Sequence, residues 1–463
     1  MKIYGRPILI FLLSFFLISA GHAQSVVTNI AAGSYHSLFV KSDGSLWVMG
    51  RNDSGALGDG TYGGAKFPYA TNLPEKILAS GVTAIAGGLY HSLIVQNGNL
   101  LTTGDNQYGE LGDGTSDHGA YQTNRPEVIV SGGVTAVAAG EYFSLFLQNG
   151  ALLGMGNNNS GQLGDGTQTA SRVPEIIMGA SVIAVSASSY HTLFLTSDGS
   201  LWAIGSDEHG ELGDGNTTDD AVTNAERIVI GGVTAVAAGD FHSLFLKNDG
   251  SLWAMGENSS GQLGDGTYSD TNQPEMIVPT GVVAIAAGGG HSLFIKKDGS
   301  LWAMGSDSFG QLGDGSTDGG NFQTNRPEMI VASGVTTIAA GEAHSLFIKS
   351  DGSLWAMGND QYGQLGDGVY RNNGLNLPEQ IVAGSSMPPD YNQISAQLLS
   401  TGAVAFSFVG DAQTKYSLDR TFDLSPPHWI PQVTNIANAS GIVNFTNTPD
   451  GTTNNFWRVR SVP

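Results

Sequence analysis

Two kinds of residue in this chain could do chemistry, and both recur. An imidazole followed by a hydroxyl appears at His36, His91, His191, His242, His291 and His344, each next to Ser or Thr. Such a pair could supply a general base and a nucleophile. A Gly-Asp-Gly triplet appears at Asp59, Asp113, Asp165, Asp214, Asp265, Asp314 and Asp367, and carboxylates with nearby carbonyls suit calcium. Repetition argues against both uses. A catalytic group is needed once, so imidazoles in equivalent places point to a structural hydrogen bond; one unit dispenses with it and carries Phe143. No hydroxyl has an Asp partner at a special spacing. Each triplet holds one isolated Asp, its spacing is not that of an EF-hand, and Asp commonly caps turns through its own backbone. The chain has no Cys, which excludes thiolate catalysis, disulfides and Cys-based zinc sites. The expectation is no catalytic residue, no metal and no cofactor.

What must position these residues is a repeat. The string V-T-A-V-A-A-G-D-F-H-S-L-F-L-K-N-D-G-S-L-W-A-M-G-E-N-S-S-G-Q-L-G-D-G-T begins at Val233, and near-copies begin near 27, 82, 134, 182, 282 and 335. The triplets lie 49 to 54 residues apart, a period that marks repeat architectures. Each unit reads as four strands, a to d, punctuated by Gly, Asp-Gly and Asn-Gly turns. Strand b is apolar on both sides (Leu244, Phe245, Leu246), so each small sheet needs a neighbour on both faces. Seven such sheets make a ring. The fold class is all-β: a seven-bladed propeller over 27–384. Trp47, Trp202, Trp253, Trp302 and Trp355 of strand c are expected in its core. The d-to-a links are short, so the expected blade order is d-a-b-c, with Glu379–Val382 pairing Val27–Ala31 to lock the ring.

The units resemble the regulator-of-chromosome-condensation repeat family, through G-x-x-H-S-L-x-L, D-G-S-L-W-A-M-G and N-x-x-G-Q-L-G-D-G over residues 27 to about 383. The resemblance implies a seven-bladed propeller. The family's founder is a nuclear guanine-nucleotide exchange factor, but no exchange residues map here. Secreted bacterial members, one of which inhibits β-lactamases by binding over them, are closer in setting. They imply protein binding through a loop face.

The remaining segments set the context. Lys2 and Arg6, the apolar run Ile8–Ala20 and Gly21-His22-Ala23 read as a secretory signal peptide over 1–23, cut after Ala23. The expected location is periplasmic, extracellular or at the cell surface, with no membrane insertion of the mature chain. A net charge of −22 excludes a nucleic-acid role. Residues 385–390 read as a linker. Strand-like runs at Ile394–Leu399, Val404–Val409, Lys415–Leu418, Gly441–Phe445 and Phe456–Val462 read as a β-sandwich-like domain over 391–463, a stabilising appendage or a surface anchor.

Because strands alternate in direction, the a–b and c–d loops share one face of the ring. That face varies between units and is rich in aromatic residues: Tyr35, Tyr90, Tyr142, Tyr190 and Phe241 in a–b loops, and Tyr62, Tyr108, Tyr121, Tyr268, Phe309 and Tyr362 in c–d loops. Rings on a rigid scaffold suit recognition. The expected function is a monomeric, non-enzymatic binding protein that contacts a protein partner there. The alternatives are a glycan-binding or surface-attachment protein and a hydrolase or lyase. A distinct carboxylate pair in the channel would mark an enzyme, and the repeated residues supply none.

Overall fold

The computed structural model describes residues 25–62, 70–116, 123–316 and 323–384, and then 394–398, 403–409, 415–421, 430–436, 442–448 and 456–461. The segment 1–23 and the linker 385–390 lie outside the described residues.

Residues 25–384 form one body of seven four-stranded antiparallel sheets. In blade 1 the strands are Val27–Ala32, His36–Lys41, Leu46–Arg51 and Ala70–Leu78. Strand b is buried along almost its whole length in every blade, with Phe39, Phe146, Phe194, Phe245, Phe294 and Phe347 at its centre. Each apolar cluster mixes residues of two adjacent blades, so the core is a ring of layers between sheets. The strand-c Trp rings lie parallel to these Phe rings at about 6 Å, as in Phe245–Trp253, with a Lys from strand b over the outer face of Trp253 at 4.0 Å. They cover the core edge and are only partly buried.

The expected strand order is corrected. Every blade runs a-b-c-d, and the last strand, Arg371–Val382, pairs within blade 7 with Leu354–Asp360. Among the described residues, the strand Val27–Ala32 pairs only with His36–Lys41. A short link does not make a hairpin here, because strand d ends beside the b–c turn of its own blade (Leu78 opposite Leu46). The link then steps across that turn to start the next blade. Gly44 and Gly81, both at positive φ (76° and 82°), let two backbones touch: a Cβ on Gly44 would stand 2.7 Å from Gly81 N. Val82 N–H bonds Gly44 O at 3.1 Å.

The ring closes by the same step without a covalent link. Val26 lies against Gly352, and Val27 N–H donates to Gly352 O at 3.1 Å. The c–d loop of each blade also bonds strand d of the next, and Gly368 N to Asn72 O at 2.8 Å completes that series.

The second body is a small β module of two three-stranded antiparallel sheets. Val404, Phe406, Val443 and Phe445 from one sheet and Tyr416 and Leu418 from the other form its core.

Candidate functional site

The repeated imidazoles are spacers between blades. His36 Nε2 meets Ser92 Oγ of the next blade at 2.8 Å, and Ser92 Oγ–H donates to Ala56 O at 2.8 Å. Since the hydroxyl proton goes to the carbonyl, the imidazole must donate, so it is neutral with its proton on Nε2. The same link joins His91 to Ser144, His191 to Ser243, His242 to Ser292, His291 to Ser345 and, across the closure, His344 to Ser37. Burial pushes these imidazoles down to about 3 or 4, which keeps them uncharged. Phe143 breaks the series, and Thr192 opposite it donates to Gln162 O.

The Gly-Asp-Gly carboxylates cap turns. Asp59 Oδ1 accepts from Thr61 N at 2.7 Å and from Asn52 Nδ2 at 3.1 Å, and Asp113, Asp165 and Asp265 repeat this pattern. Among the described residues, no group of three or more His, Asp or Glu is placed to hold a metal ion.

The loop face is organised in two circles. The inner one is a cavity of about 70 Å³ on the ring axis, lined by the ends of all seven a strands and the two residues that follow. The second of these is Ser34, Leu89, Glu141, Ser189, Asp240, Gly289 and Glu342 in blades 1 to 7. Three carboxyl groups therefore meet at the axis from blades 3, 5 and 7. Ser189 Oγ–H donates to Asp240 Oδ1 at 2.7 Å. Asp240 and Glu342 are hydrogen-bonded across blade 6; burial, then Asp240 and Glu141, push Glu342 up to about 8, and burial raises Asp240 as well. Burial and Asp240 raise Glu141.

The sequence reading missed this trio. It is a set of distinct carboxyls at the channel, and its signal is legible as the residue after the repeated Gly, where the units disagree.

The outer circle is the next residue along: Tyr35, Tyr90, Tyr142, Tyr190, Phe241, Gly290 and Ala343. Five blades raise an aromatic wall and two leave a gap. The rings pair with c–d rings and with one another. Tyr35, Tyr90 and Tyr362 surround the Arg51 guanidinium at 5.4, 4.7 and 4.8 Å, and Asp53 holds it at 2.6 Å. Tyr108 meets Tyr142 edge-on at 5.1 Å, and Tyr190 stacks on Phe241 at 5.5 Å. His209 abuts Phe241 and bonds Asp270 at 3.0 Å. Phe309 is partly buried in its loop, while Tyr62 and Tyr268 are exposed farther out. Tyr121 lies outside the described residues.

A ring of four-stranded blades bearing these motifs defines a β-propeller of a particular repeat class. The RCC1-like domain matches residues 179–404, and the regulator of chromosome condensation (RCC1) repeat matches 27–56, 43–95, 97–147 and 149–195. The propeller is built of regulator of chromosome condensation repeats.

Among curated relatives, a protein RCC2 homolog from Danio rerio is 35% identical over 133 residues, 28% of this chain and 26% of that protein. The ultraviolet-B receptor UVR8 of Arabidopsis thaliana is 28% identical over 258 residues, 54% of this chain and 57% of its own length. The matched stretches thus span roughly a quarter to just over half of these relatives. Human WBSCR16 superposes with a TM-score of 0.63 at 23% identity, covering 73% of this chain and 94% of that one. Prp20p from Saccharomyces cerevisiae gives 0.59 at 21%, covering 68% and 80%. These two structures share the fold.

Proposed function

We propose that this chain is a secreted, monomeric, non-enzymatic binding protein that takes a protein partner on the loop face of its propeller. One observation carries the reading. The scaffold repeats seven times, yet the outer circle does not: five aromatic residues, then Gly290 and Ala343. A face that departs from its own repeat, over a body that keeps it, is where selectivity can reside. The relatives agree in kind, since Prp20p is described by its binding to Gsp1p and histones. The imidazole–hydroxyl pairs, engaged between blades, supply no nucleophile; among the described residues, the distinct channel carboxyls of Glu141, Asp240 and Glu342 are the one feature that favours the alternative of a hydrolase or lyase. Secretion rests on the character of residues 1–23.

The test compares capture of partners from the native extracellular fraction by the wild type, by Tyr142→Ala/Tyr190→Ala and by Lys247→Ala on the opposite side. Loss in the double variant alone supports the reading. Equal capture by all three ends it.

A further inference from the structure

We propose that blade 4 carries a calcium site, in which Asp207 and Asp214 bind the ion through carboxyl oxygens that a side-chain amide, a hydroxyl or a guanidinium answers in the other blades. Calcium binding there is independent of what the aromatic rings recognise.

Seven equivalent turns allow a direct comparison. At the end of strand c, seven residues before the triplet Asp, stand Asn52, Asn106, Asn158, Asp207, Asn258, Asp307 and Asp360 in blades 1 to 7. Oδ1 of this residue has the same partner throughout, the backbone N–H five residues on: Leu57 N to Asn52 Oδ1 is 3.0 Å, and Leu212 N to Asp207 Oδ1 is 3.0 Å. The other side-chain atom therefore points to the same place in every blade. Where the residue is Asn, that atom is an amide nitrogen donating into a cluster of oxygens. Asn52 Nδ2 lies 3.1 Å from Asp59 Oδ1, 3.1 Å from Thr61 Oγ1 and 3.4 Å from Thr61 O. Where the residue is Asp, the donor becomes one more oxygen, and another donor or a cation must answer it. In blade 6 the Ser316 hydroxyl donates to Asp307 Oδ2 at 3.2 Å. In blade 7 the Arg371 guanidinium bonds both Asp360 Oδ2 and Asp367 Oδ2, and reaches Glu379 at 3.6 Å.

Blade 4 has neither. Asp207 is 1% exposed, and among the described residues its Oδ2 has no hydrogen-bond partner. The strand register shows what is missing. Strands c and d are lengthened alike in blades 4 and 7, so Thr218 lies opposite Asp207 as Arg371 lies opposite Asp360. The three carboxyl groups around Arg371 have their equivalents in Asp207, Asp214 and Glu226, and only the cation is lost. Asp214 is half-buried and Glu226 exposed, so an ion from solvent can reach the buried oxygen. Asn216 occupies the position of Thr61, whose carbonyl faces the amide in blade 1. Two carboxylates, a carbonyl and solvent make a hard oxygen set with the charge for a divalent ion. Calcium takes about six to eight such oxygens in adaptable geometry, whereas magnesium keeps its waters and demands an octahedron. Glu226 hydrogen-bonds Asp214 at the rim and adds charge without being a ligand. The site thus needs two protein carboxylates rather than the three or more that no described group provides. A proton on Asp207 is the competing answer, and the experiment separates the two.

The probe is calcium chloride, titrated calorimetrically into the metal-stripped full chain, with magnesium chloride as control. The buffer stands one unit above the value of about 7 to which burial raises Asp207. One saturable calcium site with a dissociation constant of about 0.1–1 mM is expected, and binding at least about tenfold weaker for magnesium. Asp207→Asn restores the amide of blade 1, and Thr218→Arg supplies the cation of blade 7. Each should weaken calcium binding by at least about tenfold. Calcium should raise the thermal midpoint of the wild type and leave that of both variants unmoved. Asp207→Asn carries the test alone if the arginine prevents folding. Weak binding by the rest of the acidic surface is what the variants retain. Absence of a saturable site, or equal binding by the wild type and Asp207→Asn, overturns the proposal and leaves a proton on Asp207 as the answer to this turn.

Discussion

His344 shows what repetition of a residue meant. Its Nε2–H reaches Ser37 at 2.9 Å and joins the last blade to the first. Removing the ring leaves a cavity and an unanswered hydroxyl. His344→Ala is expected to lower unfolding stability by about 2–4 kcal/mol, read from the denaturant midpoint. Phe143, fully buried at the equivalent place, holds its seam by packing instead, and Phe143→Ala should cost about 3–5 kcal/mol in the same measurement. The structural role of the imidazoles was legible in the sequence because six equivalent copies cannot all be one catalyst. The carboxyl trio was not read, although Glu141, Asp240 and Glu342 each follow a repeated Gly. The rings one position later depart more visibly from the repeat, and only the closed ring brings residues about a hundred positions apart to one axis. The clustering of Tyr35, Tyr90 and Tyr362 around Arg51 was equally invisible, since it joins blades 7, 1 and 2.

Strands and turns were the most legible level. Alternation, double-sided apolar runs and Asp-Gly or Asn-Gly pairs placed strands a, b and c of every blade. What failed was the inference from link length to pairing. Three residues suffice to pass between sheets when glycines let one backbone lie on another. Gly250 makes that dependence measurable. Its φ is +80°, and a Cβ would stand 2.9 Å from Gly281 N. Gly250→Ala is expected to destabilise by about 1–3 kcal/mol, and a thermal midpoint equal to wild type would contradict the step-over geometry. Gly290 is the contrasting glycine. Its φ lies outside the left-handed region, and a Cβ there meets nothing nearer than 3.6 Å. Gly290→Tyr should fold normally and weaken partner capture by extending the wall; retained capture would show that the gap takes no part in it.

At the scale of the whole molecule, two opposed sets of buried groups govern stability. The six imidazoles have folded values near 3 or 4, below the ordinary 6.5. The unfolded chain takes up protons first as pH falls from about 6.5, so the stability they contribute is lost on acidification. The carboxyls act in the other direction. Burial holds Glu110 and Glu342 at about 8 and Asp207 and Asp360 at about 7, above the ordinary 4.5 and 3.8. Their contribution is complete below those ordinary values and is lost as pH rises toward 8. The thermal midpoint should therefore peak between about pH 4.5 and 6.5, and calorimetry showing a steady rise to pH 8 would refute this balance. The closure has a further consequence. Val26 rests on Gly352 while Gly384, at the other end of the body, rests on Asp351, the adjacent residue. The two ends of the ring thus abut consecutive residues of one turn, and the gap between them matches the step made at every other blade junction. A circular permutant that joins Gly384 to Val26 through a few residues and is cut at the Gly281 link would keep every interblade contact, because this body has no privileged first blade.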